Sequence, residues 1–277
     1  MSELWLQAVI MVGGPVEKFN PLKPSAISQK RERQTDGKWA KQVAIKEITL
    51  EDVRHDAIEF GLATEVLAQV KAGKEASIFI AKWKEHPIML KAYRLWRSAQ
   101  ASNERGVFTL AKMQMLAAKE YDVLKESFQA GVTVPTPIGR VGNYITMRFI
   151  GDGLDPAPQL KDVHLENPNQ ALDAILEEYL KMYRDANYVH GDLSKYNILW
   201  WQNRPWIIDV PQAYTVGPWA NMKEVVFLLR RDIKNLLSYF KRYGIKRNLD
   251  EIVDVFLSEY VPENLRHYDE VVPFRGV

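Results

Sequence analysis

One stretch constrains this 277-residue chain more than any other: Tyr188 to Ala213, YVHGDLSKYNILWWQNRPWIIDVPQA. His190-Gly191-Asp192 is followed by Asn197 and then by the apolar run Ile198-Leu199-Trp200-Trp201. A polar turn, Gln202-Asn203-Arg204-Pro205, leads into Trp206-Ile207-Ile208-Asp209-Val210. Two β-rich apolar runs across a short polar connection predict a hairpin. Such a hairpin carries Asn197, at the start of its first strand, close to Asp209, at the end of its second. An isolated Asp or Asn near a turn usually just shapes the turn. The whole pattern, H-x-D-x-x-x-x-N, a strand pair and then I-D, is far more specific. It offers a base and hard oxygen ligands. Magnesium-dependent phosphoryl transfer needs that set, because the metal keeps several waters and takes one or two protein oxygens.

Composition narrows the rest. A hydrophobic fraction of 47% is enough for a proper core, and the length suits one two-lobed enzyme or two small domains. A net charge of only +2 gives no whole-molecule field toward nucleic acid, so any basic patch is local. The chain has no cysteine, which excludes disulfides, thiol catalysis and cysteine-based metal sites. The apolar run Leu4 to Val12 is too short to span a bilayer, and Glu3 is the wrong flank for a signal peptide. It reads as a strand or packing segment of a cytoplasmic protein with no membrane partner. Residues 13–46 carry Pro15, Pro21 and Pro24, then Lys30, Arg31, Arg33, Lys38, Lys41 and Lys46 with Trp39 among them. They read either as a solvated extension or as an arm that contacts RNA phosphates, with Trp39 free to stack.

From Thr64 three short strands are predicted, over 65–71, 77–83 and 87–93, the first two joined by Ala72-Gly73-Lys74-Glu75-Ala76. Residues 94–107 show no periodicity and read as a loop. A helix is predicted over 108–130, closed by Gly131, with a stripe of Met113, Leu116, Ala117, Tyr121, Leu124 and Phe128. Glu120 falls within that stripe, where a carboxylate is costly unless paired, and Lys91 is the obvious partner. Two more strands lie in 132–150 around Arg140-Val-Gly-Asn143. The remainder reads as helical. Asn167-Pro168 opens one helix, 221–243 forms a second that ends at Gly244, and a last one runs from Asn248 to Tyr260. Asp232 lies on the apolar face of the second, where it could accept amide hydrogens from the His190–Asp192 loop.

HGDLSKYNIL and IDVPQA resemble the catalytic loop and metal-binding segment of the RIO-type atypical kinases, within the protein-kinase-like superfamily. GKEA at 73–76, KEYDVL at 119–124, DPAP at 155–158 and RRDIKNLLSYF at 230–240 carry the same resemblance, which covers roughly residues 64 to 260. It implies an α+β, two-lobed protein-kinase-like fold, with an extension over 1–63, a β-rich N-lobe over 64–150 and a helical C-lobe over 151–277. ATP and Mg2+ would sit between the lobes. It also implies roles. Asp192 is the base or orienting group, Asn197 and Asp209 hold the metal, and Lys91 oriented by Glu120 holds the α- and β-phosphates. His190 packs and hydrogen-bonds rather than titrates. Gly73, Lys74, Glu75, Ala76 and Ser77 form the phosphate loop, whose backbone amides approach phosphate because Gly73 has no side chain. Met147, Arg148, Ile150, Leu199 and Ile208 lie about the adenine, with Gly151-Asp152-Gly153 as connector.

Departures are visible. The G-x-G-x-x-G of ordinary protein kinases is absent, and Arg148 stands where the family often has an acid. The catalytic loop resembles one RIO subgroup and DPAP the other. The family implies a serine/threonine kinase or ATPase in small-ribosomal-subunit maturation, with pre-ribosomal RNA as a partner. HGD followed by N also suits a small-molecule kinase of the aminoglycoside or choline type, and a non-catalytic scaffold on ribosomal RNA is the third reading. Between Asp209 and the next helix only Val210 to Ala220 intervenes, too short for a peptide platform. The resemblance therefore implies slow ATP hydrolysis through transfer of phosphate to Asp209.

Overall fold

The computed structural model describes residues 49–73, 75–93, 110–217 and 219–259. The basic arm, Lys74, the 94–107 loop and Tyr260 lie outside them. The chain divides into two compact units, one of residues 1–122 and 136–156, the other of 123–135 and 157–277.

In the first unit, β1 (Glu65–Ala72), β2 (Ala76–Trp83), β3 (His86–Tyr93), β4 (Pro137–Val141) and β5 (Tyr144–Arg148) form an antiparallel sheet. Its order is β1-β2-β3-β5-β4. Sequence reasoning assigns no helix before Thr64, yet a helix, α1 (Leu50–Glu59), is the first described element of the unit. Its start is a capping box, in which Thr49 accepts from the Asp52 amide and the Asp52 carboxylate accepts from the Thr49 amide. Val53 and Ala57 of α1 pack with Phe79, Ile88, Leu90, Ala92 and Tyr144 in one core cluster. The Tyr144 hydroxyl donates to the buried Asp56 carboxylate at 2.5 Å. Burial, then the negative Asp56, hold that phenol well above its ordinary range.

Strand alternation positions the next feature. Ile88, Leu90 and Ala92 of β3 enter the α1 cluster. Side chains one residue away, Lys91 and Tyr93, therefore project from the other face of the sheet.

Helix α2 (Leu110–Gln129) follows the expected span. Its buried line is Met113, Ala117, Glu120, Val123, Leu124 and Ser127, whereas Phe128 is 43% exposed. The predicted stripe is thus rotated: Phe128 is not a core residue, while Glu120 lies within the buried line as expected. After β5, β6 (Gly151–Asp152) pairs with β7 (Asp155–Pro156). A Cβ on Gly151 would stand 2.1 Å from the Asp155 carbonyl oxygen, so only glycine fits that reversal.

In the second unit, β9 (Ile198–Trp201) pairs with β10 (Arg204–Ile207) in the register Ile198↔Ile207. The predicted four-residue turn is only Gln202-Asn203, both in the left-handed region, with φ of 50° and 55°. A two-residue turn of this hand matches the right-handed twist of its strands. Arg204 and Pro205 consequently belong to β10, which ends at Ile207 rather than Val210.

Helices α3 (Pro168–Arg184), α4 (Met222–Phe240) and α5 (Leu249–Glu259) make up most of the rest. Asn167 stands at the start of α3 without a side-chain capping bond, while Asn221 caps α4 through the Lys223 amide. Phe256 of α5 meets the rings of Tyr179 and Tyr183 at 5.3 and 5.7 Å between centroids. No described helix is long and apolar enough to cross a membrane.

Candidate active site

Two constellations carry the candidate chemistry, one in each unit. In the sheet unit, Lys91 Nζ lies 2.8 Å from Glu120 Oε1. Both residues are buried, 7% and 1% exposed, so the expected pair forms away from water. Burial makes the pairing obligatory, since either charge left alone would be desolvated without compensation. The Tyr93 hydroxyl donates to the second carboxylate oxygen of Glu120. Sequence reasoning missed Tyr93. The two-residue spacing from Lys91 was the available signal, because strand alternation puts both on one face. Asn143 steadies the end of β3 by donating to the Tyr93 carbonyl at 2.7 Å.

The β1–β2 connection contains Gly73. Its N–H donates to the Ala76 carbonyl at 2.9 Å, and a Cβ there would stand 2.9 Å from the same oxygen. Glycine at 73 is therefore required by turn closure. The Gly73 amide is spent on that turn, which leaves the other amides of the connection to meet a phosphate. Glu75 and Ala76 are half-buried and Ser77 is buried, while Lys74 lies outside the described residues. Met147 and Ile150 are buried, and Arg148 is half-buried with its amide donating to Thr136.

In the helical unit, β8 (Tyr188–Val189) pairs with β11 (Tyr214–Thr215), and this small ladder brackets residues 190–213. Inside it, Asp192 and Asp209 are exposed carboxylates on a buried frame of His190, Leu193, Asn197, Ile198, Ile207 and Val210. Asn197 Nδ2 donates to the Asp192 carbonyl at 2.8 Å and to Asp192 Oδ2 at 3.0 Å. Those bonds identify the amide's nitrogen end and turn its oxygen the other way. The Ile208 amide donates to the Asn197 carbonyl at 3.0 Å, which places Asp209 one residue beyond Asn197's partner across the hairpin. Asp209 itself adopts φ 64°. Leu199 and Ile208 are half-buried on the same hairpin.

His190 is fully buried and has both ring nitrogens engaged. Nε2 lies 3.1 Å from the Ile208 carbonyl and must donate, while Nδ1 accepts from the Asp192 amide at 3.3 Å. These two contacts tie the loop before Asp192 to the residue before Asp209.

Asp232 of α4, fully buried, accepts from the Gly191 amide at 2.8 Å, the Leu193 amide at 3.1 Å and the Tyr179 hydroxyl at 2.8 Å. Burial pushes its carboxyl upward, opposed by nearby His190 and by these three donors. Gly191 has φ 76°, and a Cβ there would stand 2.5 Å from the Gln212 carbonyl oxygen. The loop is therefore sandwiched between α4 and the turn after Asp209, which closes through Ala213 N–H to Val210.

The oxygens of Asn197 and Asp209 suit Mg2+, which prefers hard carboxylate and carbonyl ligands and tolerates few of them. A five-stranded antiparallel sheet with a buried Lys–Glu pair, joined to a helical unit with this loop and hairpin, is a two-lobed protein-kinase-like α+β fold. The Rio2 kinase–ADP/Mg2+–phosphoaspartate complex from Chaetomium thermophilum is similar over 74% of this chain and 66% of that one, with TM-score 0.59 and 20% identity. The RIO domain family matches residues 77–252, and the chain belongs to that family. The RIO-type serine/threonine-protein kinase Rio1 of Haloferax volcanii is 30% identical over 201 residues, 67% of this chain and 66% of that protein. Human serine/threonine-protein kinase RIO3 is 36% identical over 141 residues, 50% of this chain and 26% of its own length. Rio1 of Methanocaldococcus jannaschii is 28% identical over 82% of this chain and 85% of its own.

Proposed function

We propose that this chain is an ATP- and Mg2+-dependent phosphotransferase of the RIO type whose main activity is slow ATP hydrolysis. The observation that carries the reading is the helical-unit constellation: exposed Asp192 and Asp209 on a buried frame, with Asn197 fixed by Asp192 and linked to the strand that leads to Asp209. In this reading Lys91, oriented by Glu120 and Tyr93, holds the nucleotide phosphates. Gly73 to Ser77, Met147, Arg148, Ile150, Leu199 and Ile208 line the nucleotide. Asn197 and Asp209 would hold Mg2+, which supplies charge neutralisation for the phosphates. Asp192 takes the acceptor's proton or positions water.

Asp209 receives the phosphoryl group and then loses it to water. The similar Rio2 structure, described as a phosphoaspartate complex, supports that route. So does the short return after Asp209: Tyr214 and Thr215 pair directly with β8, and α4 begins at Met222. Family membership supports action on small-subunit ribosomal precursors in the cytoplasm. Cosedimentation with such precursors, with and without ATP, tests that part.

Steady-state ATP hydrolysis tests the chemistry. Asp192→Asn should lower turnover by about 10²–10⁴ with nucleotide affinity nearly intact, the range for losing a general base. Asp209→Asn should weaken magnesium-dependent binding itself. Near-normal turnover in either variant removes the assignment. Turnover that required a small alcohol or amine would instead support a metabolite kinase.

A further inference from the structure

The peptide groups on both sides of Asp192 are engaged at every polar atom. The Gly191 carbonyl accepts from Arg231 Nη2, and the Asp192 amide donates to His190 Nδ1 at 3.3 Å. The Asp192 carbonyl accepts from Asn197 at 2.8 Å, and the Leu193 amide donates to Asp232 at 3.1 Å. The φ and ψ of Asp192 are thereby both fixed, and its carboxylate is aimed by the backbone rather than by packing around an exposed side chain.

These four bonds are unequal. The 192–193 peptide is gripped by two short bonds from buried partners, Asn197 and Asp232. The 191–192 peptide is held by exposed Arg231 through a close contact and by buried His190 through the longest bond of the set. It also follows Gly191, which has no Cβ to restrict the ψ that turns that peptide. Arg231 sits on the surface of α4, and its guanidinium lies 6.0 Å from the ring centroid of exposed Phe227, one turn earlier. A cation over an aromatic face is held electrostatically, which orients the fork toward the loop. One turn later Asn235 donates to the Leu193 carbonyl at 3.3 Å, extending the same contact line along the helix.

We propose that Arg231 is a positioning residue for Asp192, a guanidinium latch that holds the 191–192 peptide in its catalytic orientation. The proposal rests on the reading of Asp192 as the base or orienting group. Asp232 anchors the loop to the helix, whereas Arg231 sets the plane of the peptide that directs the Asp192 side chain. Loss of Arg231 lets that plane rotate while the loop stays attached.

The test is a double-mutant cycle in the full chain with ATP and Mg2+. Arg231→Met should lower kcat by about 10–100-fold, the scale of a misplaced catalytic group. KM for ATP should stay within about 2-fold, because ground-state binding is untouched. Arg231→Lys, which keeps a donor, should recover most of the loss and also serves if the Met variant does not fold. In an Asp192→Asn background Arg231→Met should lower kcat no further, since the group it positions is already gone. Wild-type kcat in Arg231→Met overturns the latch. So does an equal loss in both backgrounds, which would place the effect elsewhere. Normal turnover in Asp192→Asn alone removes the underlying reading, and the latch with it, and is told apart by appearing without any change at Arg231.

Discussion

The Lys91–Glu120 pair yields the sharpest energetic prediction. Glu120→Leu leaves an ammonium 7% exposed with its carboxylate gone, and deprives the Tyr93 hydroxyl of its acceptor. Removing one partner of a buried pair costs about 3–5 kcal/mol, and losing a hydrogen bond to a charged acceptor adds about 1.5–3 kcal/mol. The lysine has an escape, because shedding its proton at pH 7 costs about 4.6 kcal/mol from an ordinary lysine pKa. That caps the charge contribution at about 4.6 kcal/mol, so with the hydroxyl about 4–8 kcal/mol is expected. Lys91→Met should cost about 3 kcal/mol, less because Tyr93 still donates to the stranded carboxylate. The double variant removes both charges and replaces them with apolar side chains, so it should lie within about 2 kcal/mol of the parent. Urea unfolding followed by circular dichroism, with an unchanged slope, reads all three. Additive losses, or single substitutions costing under about 1 kcal/mol, would refute the claim that the pair is desolvated and coupled.

Gly191→Ala combines a left-handed backbone, costing about 1–2 kcal/mol, with a Cβ 2.5 Å from the Gln212 carbonyl. It should lower the thermal midpoint and ATP turnover together, and a wild-type profile would contradict the sandwiched loop. The phenols of Tyr144 and Tyr179 are held well above their ordinary value of 10.0, by burial first and then by Asp56 and Asp232 respectively. The native state thus keeps protons that the unfolded chain sheds. Their contribution is complete below pH 10 and is lost as pH rises beyond it. Thermal midpoints between pH 8 and 11 should fall above pH 10, and Tyr144→Phe should shallow that fall; an unchanged slope would count against the buried phenol.

Much of the site could be read because its chemistry comes with local sequence. His190, Asp192 and Asn197 lie on one loop, and Asp209 follows a strand pair whose apolar runs are unmistakable. Glu120 stood out as a carboxylate at an apolar helix position, and Asp232 for the same reason; both have the partners expected. What escaped is what depends on geometry between distant segments. Tyr93 is an ordinary strand aromatic until Glu120 is placed beside it. At Gly73 the structure adds a second need for glycine, because turn closure uses its amide and leaves no room for a Cβ. The Gln202-Asn203 turn came out shorter than expected since a proline at a strand position reads as a turn residue, yet β10 accommodates Pro205. Phe128 misled through its hydrophobicity alone, for the buried line of α2 runs through Glu120 and Ser127 instead. Helix α1 carries few apolar residues, only Val53 and Ala57 among its fully buried apolar positions, so its periodicity was too faint to see.

The central claim is that ATP delivers its phosphoryl group to Asp209. An acyl phosphate is cleaved by hydroxylamine, whereas a phosphoserine or phosphothreonine is not. The full chain, incubated briefly with Mg2+ and ATP labelled at the γ-phosphate and then quenched, should carry label that hydroxylamine removes and that Asp209→Asn never acquires. Label that survives hydroxylamine, or that persists in Asp209→Asn, would contradict the account and leave a conventional hydroxyl-directed kinase in its place.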